Sequence, residues 1–243
     1  ASGDDPSVKA KTLGRGMYGR EGKISDDLSP ETYKRLRTFL TKTGLPAEAM
    51  DGFRPWLAAM TLSITEMMKL GARPELGVDN YFEAKAIRDR KPVRGLETVD
   101  FQVGIFAGME KENQEKMLLS TLSEMATLDE DFPRMVKAWR SGDVEAVGRI
   151  ILESMKTVPE LRRNVLDRRN QRWVKQISAI IKEGKTFMVV VGTGHMVGKK
   201  GLLKLFERRG FRVERWHGEK PDKKAKRFIP VGLDPLTIAQ SRR

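Results

Sequence analysis

Apolar residues recur along much of the chain at intervals of three and four positions, which is the period of an α-helix. The pattern predicts a helix from Ser29 to about Thr43, with Ser29 as its N-cap. A second helix is predicted from Phe53 to Gly71, because glycine commonly ends a helix. Further helices are predicted over about residues 79–90 with Asp79 as N-cap, 113–128, 131–141 with Asp131 as N-cap, 144–155, 159–183 and 200–209.

Three short segments are predicted as strands: 93–97, 186–191 and 211–216. Residues 186–191 are a nearly continuous apolar run, which is typical of a strand buried on both faces of a parallel sheet. A strand, a helix and a second strand then follow in the order of a right-handed parallel crossover. The predicted fold class is therefore α/β, helix-rich, with a small and mostly parallel (mixed) central sheet.

The chain has 243 residues, 39% of them hydrophobic, which is enough for one sizeable core. We expect one domain over residues 28–216, preceded by an irregular lead-in at 1–27 and followed by a basic tail at 217–243. No run approaches the ~18 apolar residues that a membrane-spanning helix needs. Because the start at Ala1 has neither an initiator Met nor a signal pattern, we expect a soluble, trimmed chain.

The composition excludes some kinds of site and favours one kind of partner. There is no cysteine, so disulfides, a thiolate nucleophile and cysteine-based zinc sites are excluded. Lys plus Arg number 46 against 33 acidic residues, a net charge of +13. This excess favours an anionic partner such as RNA, an acidic protein or a lipid surface, although a basic surface that only keeps the chain soluble is an equally good interpretation.

The glycine-rich turn after residue 191 is the strongest candidate for chemistry, because α/β folds bind ligands at the carboxyl ends of strands. A dinucleotide fingerprint needs glycine where Val197 stands. A phosphate-binding P-loop needs four residues between its glycines, whereas Gly194 and Gly198 enclose three. Neither motif fits.

A third interpretation of this turn uses the histidine. Gly192 and Gly194 let the backbone turn sharply, so that His195 lies at the strand tip, where an imidazole can bind a metal or move a proton. From these residues alone, a surface or capping role for His195 remains open.

A series of short motifs follows one order along residues 25–216. Residues 187–203 and then 209–213 resemble the second G-x-x-H block of the TraB/PrgY/GumN family. The other matches, in the family's order, are Arg54-Pro55-Trp56, Gly77-Val78-Asp79, Lys91-Pro92-Val93, Gly95-Leu96-Glu97-Thr98 with Gln102, Ala138-Trp139 with Gly142-Asp143, and Arg168-Arg169-Asn170 with Trp173. This order is more specific than any single motif.

The resemblance implies an EreA/ChaN-like fold and a metal-dependent, peptidase-like hydrolase, related to Tiki peptidases and erythromycin-esterase-like proteins. It implies a divalent ion (Mn, Co or Zn), a peptide or small-molecule substrate, and a periplasmic or secreted location. The site residues that it implies are His195 and Glu97 as catalytic groups and metal ligands, Arg169 and Asn170 as catalytic partners, and Gly192 and Gly194 beside the cofactor. Structural ion-pair roles for Glu97 and Arg169 also remain open.

One departure from the family pattern concerns its first G-x-x-H motif, which has no counterpart in residues 1–243. His217, the other histidine, falls in the predicted tail. We therefore expect the chain to bind no metal by itself and to be inactive alone. The alternative is a non-catalytic basic scaffold that binds nucleic acid or belongs to a large assembly.

Overall fold

The computed structural model describes residues 6–215 and the backbone of strand residues 227–228, and helices dominate it. The helices are α1 (Pro6–Gly16), α2 (Pro30–Lys42), α3 (Pro55–Lys69), α4 (Val78–Arg88), α5 (Val99–Ala107), α6 (Lys111–Glu124), α7 (Leu128–Arg140), α8 (Val144–Ser154), α9 (Pro159–Arg162), α10 (Arg168–Lys182) and α11 (Leu202–Glu207). A π-helical turn, Arg163–Asp167, lies between α9 and α10. The predicted tail at 217–243 lies outside the described residues, except for 227–228.

The chain forms two compact units. Among the described residues, unit 1 comprises 6–132 and 157–161, and unit 2 comprises 133–156 and 162–215. The division falls inside α7, next to Pro133, a residue that cannot donate a backbone hydrogen bond within the helix.

In unit 1, α3 packs against α6, and α2 packs against the same helix. Leu36, Leu62 and Leu118 are fully buried in the resulting core. Ser29 is the N-cap of α2, as predicted, because its hydroxyl accepts a hydrogen bond from the backbone N–H of Thr32. Its own N–H and hydroxyl donate to the Glu115 carboxylate at 2.8 and 2.5 Å, which ties the start of α2 to α6.

In unit 2, α10 has one buried and one exposed face. Trp173, Val174 and Ile177 are buried, as expected for an apolar stripe at helical spacing. Helix α11 contacts α10, and Leu202 and Phe206 of α11 are fully buried. The contact between α10 and α11 therefore holds the residues just before α11 next to α10.

The helical predictions for α2, α3, α8 and the long helix at 159–182 are confirmed, but two predicted caps are wrong. Asp79 and Asp131 lie inside the first turns of α4 and α7 rather than before them. The residue before α4 is Gly77. Acidic side chains in a first turn still favour the helix, because they interact with its positive end.

Two helices were not predicted. Residues 6–16 form α1, so the prediction of an irregular lead-in is wrong for that segment, and Ile24 in the following turn is fully buried. Thr98 caps α5 by accepting a hydrogen bond from the N–H of Phe101 at 3.2 Å. The predicted strand at 93–97 is therefore an irregular approach to a helix.

The predicted central sheet is not present in the described part of the chain. The one strand ladder among the described residues pairs β1 (Arg212–Val213) with β2 (Arg227–Phe228) in parallel. Residues 186–191 form neither helix nor strand, and their backbone makes no hydrogen bond to another described residue. A strand forms only when its backbone groups are paired, and the apolar sequence does not supply the partner.

Among the described residues, no helix is both long enough and apolar enough to cross a membrane.

Hydrogen exchange tests whether residues 187–191, whose backbone makes no hydrogen bond to another described residue, are unpaired in solution. We expect their amides to exchange fast, whereas the amides of residues 173–178 in α10 should be protected by helical hydrogen bonds and burial. Mass spectrometry of deuterated peptides from these two segments provides an internal comparison. Protection of residues 187–191 equal to that of α10 would show that a paired strand forms there.

Candidate functional site

His195 lies in a short 3-10 turn, Thr193–His195, which follows the apolar segment 186–191. The turn is closed by the His195 N–H, which donates to the Gly192 carbonyl at 2.9 Å. The side chain of His195 is buried, with 6% of the residue exposed. A buried imidazole needs polar partners, so its neighbours decide its chemistry.

Asn170 of α10 holds this turn through both ends of its side-chain amide. Its Nδ2 donates to the backbone carbonyls of His195 at 3.2 Å and Lys200 at 2.9 Å. Its Oδ1 lies 2.7 Å from Nδ1 of the His195 ring. Asn170 is 1% exposed, and its two bonds to His195 are buried.

These bonds fix the tautomer of His195. Because the two carbonyls accept only from Nδ2, the orientation of the Asn170 amide is determined, and Oδ1 faces the ring. Oδ1 only accepts hydrogen bonds, so Nδ1 of the ring must carry the proton. The lone pair of neutral His195 is therefore on Nε2, where it can accept a proton or bind a metal.

Arg169 and Trp173 set the charge state of His195. The Trp173 ring lies with its centroid 4.3 Å from that of the imidazole, and the Arg169 guanidinium carbon lies 4.6 Å from the centroid of the indole. Burial lowers the pKa of His195 from 6.5 to about 4, and the positive charge of Arg169 acts in the same direction. His195 is therefore neutral at pH 7.

An ion pair between a buried carboxylate and an exposed lysine anchors the loop that follows the turn. Asp167, at the end of the π-helical turn, is 8% exposed and accepts from Lys200 Nζ at 2.8 Å. Arg162 Nε lies 3.9 Å from the same carboxylate. Since the Lys200 carbonyl is also bonded to Asn170, the pair and the amide together hold one loop against one helix.

The glycines of the turn act differently from the prediction. Neither Gly192 nor Gly194 has a positive φ. A Cβ on Gly194 would lie 3.3 Å from Ile151, so this glycine allows a close approach to α8. Gly198 has φ +78°, and a Cβ on Gly201 would lie 2.4 Å from two carbonyl oxygens. These two positions require glycine most strongly.

The structure brings together three of the four predicted catalytic residues, His195, Asn170 and Arg169, within unit 2. Glu97 is half-buried in unit 1, and its contribution to the site remains a prediction. Asp79 is exposed.

The sequence interpretation missed the roles of Trp173, Asp167 and Lys200. A signal existed for Trp173, because it lies four residues after Arg169 and three after Asn170, on the same side of the helix. The other two residues meet across 33 positions of sequence, and local spacing does not reveal such a contact.

Comparison with known proteins decides the family. Residues 1–215 match the TraB/PrgY/gumN family. The chain belongs to this family. It is also 25% identical over 203 residues to a protein from Homo sapiens described as metalloprotease TIKI1. That alignment covers 70% of this chain but only 39% of the relative's length. No solved structure matches the chain.

Membership in the TraB/PrgY/gumN family confirms the resemblance. The similarity to a protein described as a metalloprotease raises the question of whether the described residues fit a metal. His195 fits as one ligand, because its Nδ1 is hydrogen-bonded and its Nε2 is unprotonated, the usual arrangement of a metal-bound histidine. However, residues 6–215 contain no group of three or more His, Asp or Glu side chains suitable for holding an ion. His195 thus has the form of one ligand, and the described residues do not surround it with a complete set.

The lowered pKa of His195 predicts a pH-dependent loss of stability. Between pH 6.5 and about 4, the unfolded chain binds a proton at His195 that the folded chain does not bind. The contribution of neutral His195 to the free energy of unfolding is therefore fully present above pH 6.5. It decreases as the pH is lowered towards 4, by roughly 3 kcal/mol in total.

The measurement is urea unfolding of the wild type and of His195→Asn at several pH values. Asparagine keeps a donor for Asn170 Oδ1 but does not titrate. The stability of the wild type relative to the variant should decrease as the pH falls through this window. A constant difference between pH 7 and pH 4 would contradict the lowered pKa.

Proposed function

We propose that this chain is a peptidase-like hydrolase domain of the TraB/PrgY/gumN family, in which Nε2 of His195 is a metal ligand. The observation that carries the proposal is the Asn170–His195 hydrogen bond, which leaves an unprotonated nitrogen beside a cationic side chain. The similarity to a protein described as a metalloprotease supports hydrolysis of peptides.

The pKa of His195 favours the ligand role over that of a free general base. A general base works best when its pKa lies near the working pH, and a group with a pKa of about 4 accepts a proton from water poorly at neutral pH. Metal binding instead requires the neutral imidazole, which is the form that this environment stabilises.

Each neighbour of His195 has a separate part in this proposal. Asn170 is a positioning residue, since it orients the ring and fixes the tautomer. Arg169 supplies the positive charge that would stabilise negative charge on the substrate in the transition state. Trp173 covers one face of the ring and excludes water from it. A bound divalent ion (Mn, Co or Zn) would polarise the scissile carbonyl and lower the pKa of water.

The small number of candidate metal ligands around His195 limits the activity that we expect of the chain by itself. Because the described residues provide His195 without a cluster of carboxylates or imidazoles around it, we propose that the chain alone binds metal weakly and has little activity. Glu97 is the second ligand that the family motif implies. Variants at these positions should therefore be compared first by metal affinity, which can be measured without turnover.

Metal titration tests the proposed ligand. Isothermal titration with Co²⁺ or Zn²⁺ should show affinity at least tenfold weaker for His195→Asn, and about 10–100-fold weaker for Asn170→Ala, because removing an orienting hydrogen bond has effects of that size. The matched control is His217→Asn, which removes the other histidine and should not change the affinity of the His195 site.

Turnover of fluorogenic peptides, measured with saturating metal and with chelator, tests the reaction itself. Activity should require metal and disappear in His195→Asn. Unchanged metal affinity in His195→Asn would contradict the ligand role. Chelator-resistant hydrolysis that persists in this variant would contradict the proposed function.

A further inference from the structure

The net positive charge of the chain is concentrated in unit 2. Its described residues, 133–156 and 162–215, contain 20 Lys and Arg against 7 Asp and Glu. The described residues of unit 1, 6–132 and 157–161, contain 19 Lys and Arg against 21 Asp and Glu. Of the 20 cationic residues in unit 2, 18 are exposed. Unit 2 therefore presents a strongly basic surface, whereas unit 1 is almost neutral.

Helix α10 carries an ordered part of this charge, the cationic stripe formed by Arg168, Arg172, Lys175 and Lys182. All four are exposed, and at 100° per residue they fall within an arc of about 80°. The stripe extends over about 21 Å, given a rise of 1.5 Å per residue. The other exposed residues of α10 are Gln171, Gln176 and Ala179, so this face carries no acidic residue.

The side chains of the stripe are better suited to binding phosphate groups than to binding a lipid bilayer or stacking on a nucleic-acid base. Its exposed face has no large apolar side chain that could enter a membrane, and no aromatic ring on which a single-stranded base could stack. Guanidinium and ammonium groups in a row match the phosphate oxygens of a duplex. We propose that the exposed face of α10 binds the phosphate backbone of duplex nucleic acid without reading its sequence.

This surface is separate from the His195 site. Asn170, Trp173 and Ile177 occupy the buried face of α10, whereas the stripe occupies the exposed face of the same helix. Removing stripe charges therefore leaves Asn170 and its hydrogen bonds in place. The inference does not depend on hydrolysis, and metal affinity should be unchanged by variants of the stripe.

The experiment uses fluorescence anisotropy of the full chain with labelled 20-base-pair duplexes of two unrelated sequences. The test variant is Arg168→Gln/Arg172→Gln/Lys175→Gln. The control is Lys9→Gln/Lys34→Gln/Lys42→Gln, which removes the same charge from exposed positions of unit 1. Circular dichroism checks folding, and Arg172→Gln/Lys175→Gln replaces the test variant if the triple variant does not fold.

The wild type should bind both duplexes equally, with a steep dependence on salt caused by counterion release. The test variant should bind at least tenfold more weakly at 50 mM salt, and its log–log salt slope should be shallower by about three, roughly one for each cationic side chain that no longer neutralises a phosphate. The control should retain the slope and affinity of the wild type.

Three results would overturn the inference. Equal weakening of test variant and control would show a general charge effect rather than a site on α10. Binding to only one of the two duplexes would contradict recognition of the backbone. Binding to phosphatidylserine vesicles, with no binding to either duplex, would assign the surface to membranes.

Discussion

The side-chain amide of Asn170 is the interaction on which the candidate site depends. It donates to two carbonyls of one loop and accepts from the imidazole, so it joins α10, the loop and the ring at one buried point. A buried polar group left without its partners costs about 1–3 kcal/mol. Replacing Asn170 would therefore affect the position of His195 and its tautomer together, and the two effects have one physical cause.

Helix α10 combines two environments because its faces differ in exposure. On the buried face, desolvation keeps His195 neutral and makes Nε2 available. On the exposed face, water screens the cationic stripe, so its charges can lie close together at little cost. One helix can thus position a neutral imidazole and present a basic surface, provided that each face keeps its own solvent exposure.

Local physics explains which parts of the fold were predictable. The cap of Ser29 and the apolar stripe of α10 depend on residues a few positions apart, so they could be predicted from the sequence. The strand at 186–191 was predicted from its apolar composition, but strands also need a partner, which composition does not reveal. In the site, the family motifs indicated His195 and Asn170. The hydrogen bonds between these residues, which are 25 positions apart, could be seen only in the three-dimensional structure.

NMR of the chain labelled with ¹⁵N-histidine tests most directly the hydrogen bonds by which Asn170 holds His195, which we call the amide clamp. The variant His217→Asn leaves one histidine, so its signal is assigned to His195. At pH 7, His195 should be neutral and protonated at Nδ1, and its ring should titrate near pH 4. In Asn170→Ala, the ring should sample both tautomers, because the acceptor that selects Nδ1–H is gone. Protonation at Nε2 in the wild type, or titration near the ordinary value of about 6.5, would contradict the clamp.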